Sequence, residues 1–270
     1  MPRYRLTIAY DGTGYHGWQR QEPSDAPPLR TVQGVVEEAV AELIGTRVDV
    51  VGASRTDSGV HAIGQVAAFT ADVRVPVDRL AAAITARLPR DVQVLAAERT
   101  HDGFNPIGDA RSKCYRYTLE HTSHPHHPWP LFDRNVVFAT PYALDVTRMR
   151  RAAAHLAGTY DCVAFAQINH GRSTTVRSVY GCSVREEGAR RLAIEIAGNG
   201  FLYNMVRIVA GTLVEVGRGR IDPEEIPAII ASKDRRRAGP TLPPQGLCLR
   251  WIWYGTTDVA AAEDQSCDAP

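Results

Sequence analysis

Hydrophobic and polar residues along the first hundred positions follow two different periods. Alternation predicts four strands, and apolar residues at helical spacing predict two helices. The predicted strands cover residues 3–10, 47–52, 65–70 and 92–97, and the predicted helices cover 31–43 and 77–88. The order is β-α-β-β-α-β, which is the split βαβ order of ferredoxin-like domains.

The second half of the chain repeats this order with longer insertions. Its predicted strands cover residues 113–119, 175–184, 191–197 and 247–253, and its predicted helices cover 145–156, 203–216 and, as a short addition, 223–232. We therefore predict an α+β protein with two ferredoxin-like halves, each an antiparallel sheet with helices on one face. A cleft between the halves is the natural place for an active site.

The predicted domains are residues 1–103, which carry a glycine-rich loop, and residues 104–257. Residues 258–270 form an acidic tail with few large apolar groups, which we expect to be disordered. The chain of 270 residues is 44% hydrophobic and 23% charged, as in water-soluble proteins. It contains neither a run of about 18 apolar residues nor an N-terminal signal peptide. We expect a cytoplasmic protein that does not bind membranes.

The basic residues are almost all arginines, because only two of the 31 are lysines. Arginine binds phosphates bidentately and stacks on bases, so this bias suits a nucleic-acid partner. A genome rich in G and C would produce the same bias. The five cysteines include no C-x-x-C pair, which argues against structural zinc. A proline-rich loop at 121–130 carries four histidines but no acidic or cysteine ligand, so we expect no metal and leave the role of this loop open.

Residues 52–62 form the segment most suggestive of chemistry. Asp57 lies in this glycine-rich loop, two residues after Arg55 and four before His61. Nearby cations keep such a carboxylate ionised, and an ionised aspartate can act as a nucleophile. Aspartates in glycine-containing loops also commonly cap turns, so local chemistry alone leaves the role of Asp57 open.

The sequence Arg-Thr-Asp-Ser-Gly-Val-His-Ala at 55–62 resembles the active-site loop of the TruA family of tRNA pseudouridine synthases. Further segments resemble signatures of that family in the same order: residues 9–13, 17–21, 31–34, 115–117, 201–207, 211–213, 217, 234–235 and 246–247. The resemblance runs from about residue 4 to residue 254. A single motif would be weak support, whereas an ordered series is strong.

The resemblance implies an isomerase that detaches uracil from ribose and reattaches it through carbon 5, without a cofactor or metal. Asp57 would be the nucleophile, attacking either the sugar or the base. Arg207 would pair with its carboxylate; it stands in an apolar run, where a buried charge needs a partner. Tyr115 would stack on the target base and help to remove the C5 proton. Arg55, His61 and Leu247, together with Tyr115, would bind the substrate.

The substrate implied by the resemblance is the tRNA anticodon stem-loop, at uridines 38, 39 and/or 40, with the enzyme acting as a homodimer. The chain departs from the family pattern at Asn105-Pro106-Ile107, where His-Ala-Arg is usual, and at Cys162, where phenylalanine is usual. Two alternatives remain. One is a non-catalytic RNA-binding or RNA-folding protein on the same scaffold, and the other is a metal-dependent hydrolase that uses the histidine-rich loop.

Overall fold

The computed structural model describes residues 1–22, 24, 27–122, 130–167 and 174–255. In chain order the strands and α-helices of these residues are β1 (Arg3–Tyr10), α1 (Val32–Ile44), β2 (Val51–Gly52), β3 (His61–Thr70), α2 (Val77–Thr85), β4 (Val92–Thr100), β5 (Ser112–His121), β6 (Phe138–Thr140), α3 (Val146–Ala154), β7 (Gly158–Asp161), β8 (Val176–Glu186), β9 (Arg191–Gly198), α4 (Met205–Gly217), α5 (Ile226–Ser232) and β10 (Leu247–Trp253). Across these ranges, no helix is long and apolar enough to cross a membrane. The predicted acidic tail at 258–270 lies outside them.

The chain divides into two compact units. The first contains Met1–Arg111 and Cys248–Tyr254, and the second contains Ser112–Leu247. The predicted domains instead placed the boundary at residue 103 and kept the last strand with the second half. Most of β10 belongs to the first unit because it pairs in parallel with β3, with Cys248 opposite His61.

The first unit has the predicted β-α-β-β-α-β order. Strand β1 is antiparallel to both β3 and β4, and β2 is antiparallel to β3, so the order across the sheet is β4-β1-β3-β2. On β1, every second residue is buried, as the alternation predicted. The Thr31 side chain caps helix α1, which ends at Gly45 in the left-handed conformation. The predicted α+β class is confirmed.

The second unit is built on an antiparallel sheet in the order β5-β9-β8-β7, with the short strand β6 added in parallel to β5. Strands β6 and β7 were not predicted. Helix α3 packs against α4 and β8. Almost every residue of α4 is buried, which explains why its sequence is apolar on all sides.

Candidate active site

Asp57 lies in the loop that connects β2 to β3 in the first unit. The residue is half-buried, and Arg55 beside it is exposed. The backbone carbonyl of Asp57 accepts a hydrogen bond from the Val60 N–H (3.1 Å), which closes a turn around Ser58 and Gly59. The nucleophile predicted from the motif is therefore held on a defined turn.

Gln65 on β3 holds the beginning of this loop from the protein interior. Its side chain is fully buried. Its Nε2 donates to the Ser54 carbonyl (2.6 Å), and its Oε1 accepts from the Ser54 N–H (3.2 Å). Next to it, the Tyr10 hydroxyl is hydrogen-bonded to the Thr56 hydroxyl (2.7 Å). A buried network whose members are satisfied in this way makes a segment rigid.

A second loop, residues 12–18, supports the Asp57 loop from the other side. The Trp18 N–H donates to the Thr56 carbonyl (3.1 Å), while the Ser58 hydroxyl (3.1 Å) and the Gly59 N–H (3.3 Å) donate to the Tyr15 carbonyl. Gly17 has a φ of +90°, and a Cβ there would lie 2.5 Å from the Thr56 oxygen. Only glycine allows the two loops to approach so closely.

The supporting loop is attached to the start of helix α1. The first N–H groups of a helix have no partner within the helix. Here the Val32 N–H donates to the Gly17 carbonyl (3.1 Å), and the Gln33 N–H donates to the Trp18 carbonyl (2.9 Å). The motif at residues 31–34 therefore begins the helix that holds the supporting loop.

Tyr15 fixes the middle of the supporting loop. Its buried hydroxyl donates to Asp91 (2.5 Å), and the Arg30 guanidinium stacks 4.4 Å from its ring centre. Arg30 also forms an ion pair with Asp91 (3.2 Å). Burial and the adjacent Asp91 carboxylate raise the pKa of Tyr15, so the hydroxyl remains a hydrogen-bond donor.

The buried carboxylate of Glu37 on α1 contacts two polar residues of the N-terminal motifs, Arg20 and Gln33. It accepts hydrogen bonds from Arg20 Nη1 (2.8 Å), Gln33 Nε2 (2.9 Å) and the Val50 N–H (3.1 Å). Arg20 and Gln33 lie within the motifs at residues 17–21 and 31–34, whereas Glu37 lies outside them and was not predicted. This cluster gives Arg20 and Gln33 a structural role beside the supporting loop.

His61, predicted to bind substrate, is buried at the start of β3. Its Nδ1 lies 3.0 Å from the Gly12 N–H donor and 3.1 Å from Asp11 Oδ1. The Gly12 N–H donates to Nδ1, so this nitrogen is the acceptor in that contact. Burial raises the pKa of Asp11, but hydrogen bonds from Thr13 and the nearby His61 outweigh it and lower the pKa overall.

In the second unit, the predicted basic residue Arg207 lies on α4 and is partly buried. Its Nε donates to the Leu242 carbonyl (2.6 Å), and its Nη1 donates to Asn204 Oδ1 (2.7 Å). The Leu242 N–H in turn donates to the Arg207 carbonyl (3.3 Å). These bonds fix the direction of the guanidinium group.

The other two predicted residues of the second unit lie on strands. Tyr115 on β5 is buried, and its ring meets Phe201 edge to face with 5.4 Å between ring centres. Leu247 is buried at the first position of β10. A Cβ on the preceding Gly246 would lie 2.7 Å from the Thr118 oxygen, so this glycine lets the chain reach Leu247 against β5.

The predicted site residues thus fall into two groups. Arg55, Asp57 and His61 belong to the first unit, whereas Tyr115, Arg207 and Leu247 belong to the second. At one departure from the family pattern, the Asn105 side chain accepts hydrogen bonds from two backbone N–H groups and closes a turn. At the other, Cys162 is fully buried and its thiol donates to the Tyr160 carbonyl (3.6 Å). Both departures therefore have structural roles of their own.

The part of the chain that the structure describes contains no group of three or more His, Cys, Asp or Glu placed to hold a metal ion. His121 has its Nδ1 3.3 Å from the Leu144 N–H. The other histidines of the histidine-rich loop, at 124, 126 and 127, lie outside the described residues.

Comparison with known proteins decides the family. A family model described as tRNA pseudouridine synthase matches residues 6–105 and 152–254. The chain belongs to this family. It is 43% identical to the tRNA pseudouridine synthase A of Ruminiclostridium cellulolyticum and to that of Caldicellulosiruptor bescii, and 41% identical to that of Acetivibrio thermocellus. Each of these matches covers 94% of this chain and the whole of the relative.

Membership makes the chain a pseudouridine synthase, an isomerase, and confirms the enzyme class that the motifs predicted. Five of the six predicted site residues lie within the segments matched by the family model. Tyr115 lies between those segments, although the alignments with the relatives extend over nearly the whole chain.

Proposed function

We propose that this protein converts uridine to pseudouridine in tRNA, at one or more of positions 38, 39 and 40 of the anticodon stem-loop. The relatives from Ruminiclostridium cellulolyticum and Caldicellulosiruptor bescii carry the name tRNA pseudouridine synthase A, which supports a tRNA substrate. We further propose that it acts as a homodimer in the cytoplasm and needs neither a cofactor nor a metal ion.

The observation that carries the proposal is the fixation of the Asp57 loop from two sides. Gln65 holds the loop from within, and the backbone of residues 15–18 holds it from the other side. A nucleophile must approach its target carbon at about 3–3.5 Å with a defined orientation. The rigid support of the half-buried Asp57 meets this requirement. An aspartate that only capped a turn would not need such support.

The proposed reaction is an isomerisation and conserves every atom of the nucleoside. The bond from the ribose to N1 of uracil breaks, a bond from the ribose to C5 forms, the C5 proton leaves, and N1 gains a proton. Asp57 is the nucleophile toward either the sugar or the base. Arg207 pairs with Asp57 and keeps it ionised, while Tyr115 stacks on the base and assists removal of the C5 proton.

The remaining predicted residues serve substrate binding in this proposal. Arg55 is exposed and bears a planar cation suited to phosphate or base contacts. Leu247 packs on the uracil face, and His61 contributes to substrate binding. Since a stacked base is out of reach of an enzyme carboxylate, the uridine has to be extruded from the RNA stem.

The test is the formation of pseudouridine in an unmodified tRNA transcript, mapped at each of the three positions. We expect Asp57→Asn to reduce the rate to background, because it keeps the shape of the side chain but removes the carboxylate. Asp102→Asn is the matched control, since Asp102 is an exposed aspartate in another turn of the same unit. It should retain wild-type activity.

Full activity of Asp57→Asn would refute the assignment of the nucleophile. Wild-type protein that binds the tRNA but produces no pseudouridine would favour the non-catalytic alternative. Binding should also weaken as salt concentration rises, because arginine contacts with phosphates release counterions.

A further inference from the structure

Asn204 has a backbone conformation that is rare for a residue with a side chain. Its φ is 60° and its ψ is 4°, in the left-handed region. Among the described residues other than glycine, only Lys233 shares a positive φ. Asparagine tolerates this region better than most residues. Such conformations cluster at functional sites, where the surrounding structure enforces them.

Asn204 occupies the position before helix α4 but does not cap the helix with its side chain. Asparagine at this position usually accepts a hydrogen bond from a backbone N–H of the first helical turn, and that bond is absent here. Instead, Oδ1 accepts from Arg207 Nη1 (2.7 Å), and Nδ2 donates to Gln167 Oε1. Because a guanidinium can only donate, the amide oxygen must face Arg207.

Two acceptors of the Arg207 guanidinium are neutral oxygens. One is the Asn204 amide, and the other is the Leu242 backbone carbonyl at 2.6 Å. A neutral acceptor fixes the direction of a guanidinium without neutralising its charge, whereas a carboxylate in the same place would pair with that charge. This arrangement suits an arginine whose charge acts on another group.

We propose that Asn204 is a positioning residue for the isomerisation. Its left-handed backbone brings the amide back toward the first turn of α4, and its neutral oxygen aims the Arg207 guanidinium while preserving the positive charge. The inference rests on the proposed function, in which Arg207 pairs with the Asp57 carboxylate.

Three substitutions of Asn204 test separately the effects of its backbone conformation, its side-chain amide and its lack of charge. Asn204→Gly keeps the left-handed conformation but removes the amide, so the single-turnover rate constant should fall about tenfold or more while KM and Tm change little. Asn204→Ala should have a similar rate constant and a lower Tm, because alanine disfavours this backbone conformation. Asn204→Asp keeps the acceptor in place but adds a negative charge.

The aspartate variant gives a readout that a structural role would not change. A carboxylate beside Arg207 would share its charge and leave Asp57 less stabilised as an anion. The acid limb of the pH profile of kcat/KM should therefore move to higher pH. An unchanged profile in Asn204→Asp would overturn the inference, even if the glycine variant failed to fold.

A double substitution distinguishes this inference from the proposed function. If Asn204 acts through Arg207, Asn204→Gly should have no further effect in an Arg207→Ala background. Wild-type rates in Asn204→Gly together with an inactive Arg207→Ala would overturn the role of Asn204 alone. Wild-type rates in both single variants would refute the role of Arg207 in the proposed function, and the inference would fall with it.

Discussion

Replacing Gln65 with methionine tests whether the interior clamp holds the Asp57 loop. Gln65 is fully buried on β3, and its amide bonds both backbone groups of Ser54. Methionine has a similar length and flexibility, so it fills most of the same space. The substitution therefore removes hydrogen bonds without opening a large cavity.

The expected loss of stability follows from the loss of the Gln65 hydrogen bonds to the Ser54 N–H and C=O. Ser54 is 9% exposed, so its N–H and C=O would be largely cut off from water. Each buried backbone group without a partner costs about 1–3 kcal/mol. Burying a thioether in place of an amide offsets part of this loss, so we expect the free energy of unfolding to fall by roughly 2–4 kcal/mol.

The same change should reduce catalysis in the protein that remains folded. Release of Ser54 loosens a loop in which Asp57 follows three residues later, and a misplacement of about 1 Å can cost about 10²-fold in rate. We would measure urea-induced unfolding and single-turnover pseudouridine formation on the same samples, at a temperature where each variant is folded.

Gln93→Met is the matched control, because Gln93 is exposed on β4 of the same sheet. Its free energy of unfolding should change by less than about 0.5 kcal/mol, and its activity should remain. If Gln65→Met behaved like this control in both measurements, the reasoning that the Gln65 amide holds the Asp57 loop would be refuted.

Two further predictions concern the second unit. Gly211→Ala places a Cβ 1.9 Å from a backbone carbonyl oxygen, so we expect the free energy of unfolding, measured by thermal unfolding, to fall by about 1–3 kcal/mol. The control is Gly181→Ala, which should be nearly neutral because no atom lies within 4 Å of its Cβ. Equal Tm values for the two variants would contradict the reasoning. Hydrogen bonds from Thr175 and Lys233 lower the pKa of Asp161, so its contribution to stability is present above about pH 4 and is lost as pH falls through the lowered pKa. The free energy of unfolding of Asp161→Asn should therefore fall less steeply below about pH 4 than that of the wild type, and parallel curves would contradict the assignment.

Several elements were predictable because their signals are local. Strands β1 and β10 have the predicted bounds, and α1 begins directly after Thr31, as a capping threonine before an apolar repeat indicates. Strand β2 was predicted at 47–52 but contains only Val51–Gly52. The Val50 N–H bonds the Glu37 carboxylate instead of a neighbouring strand, which alternation alone cannot reveal.

Other errors arose where a distant partner defines the element. Strand β3 was predicted to begin at Gln65, yet it begins at His61 because β10, far away in the sequence, pairs with its first residues. A Cβ on Gly64 would lie 2.2 Å from the Arg250 carbonyl oxygen, so the glycine that looked like a loop residue permits this close approach. Strands β6 and β7 are too short to give a period.

The supporting residues of the site were missed for a different reason. Gln65 lies in an otherwise apolar strand, Glu37 lies between Val36 and Val40 on the buried face of α1, and Asn204 precedes an apolar helix. A polar residue on an apolar face is itself a usable signal, because such a residue needs a partner. The sequence does not show what that partner is.

The described contacts of the two groups of site residues share one physical feature. Neutral amides, hydroxyls and backbone groups hold the Asp57 loop, and a neutral amide and a carbonyl hold Arg207. A buried ion pair occurs instead between Glu37 and Arg20, which follows the supporting loop in the chain. In the proposed reaction, such neutral support would fix the geometry of the Asp57 loop and of the Arg207 guanidinium without adding a formal charge to either.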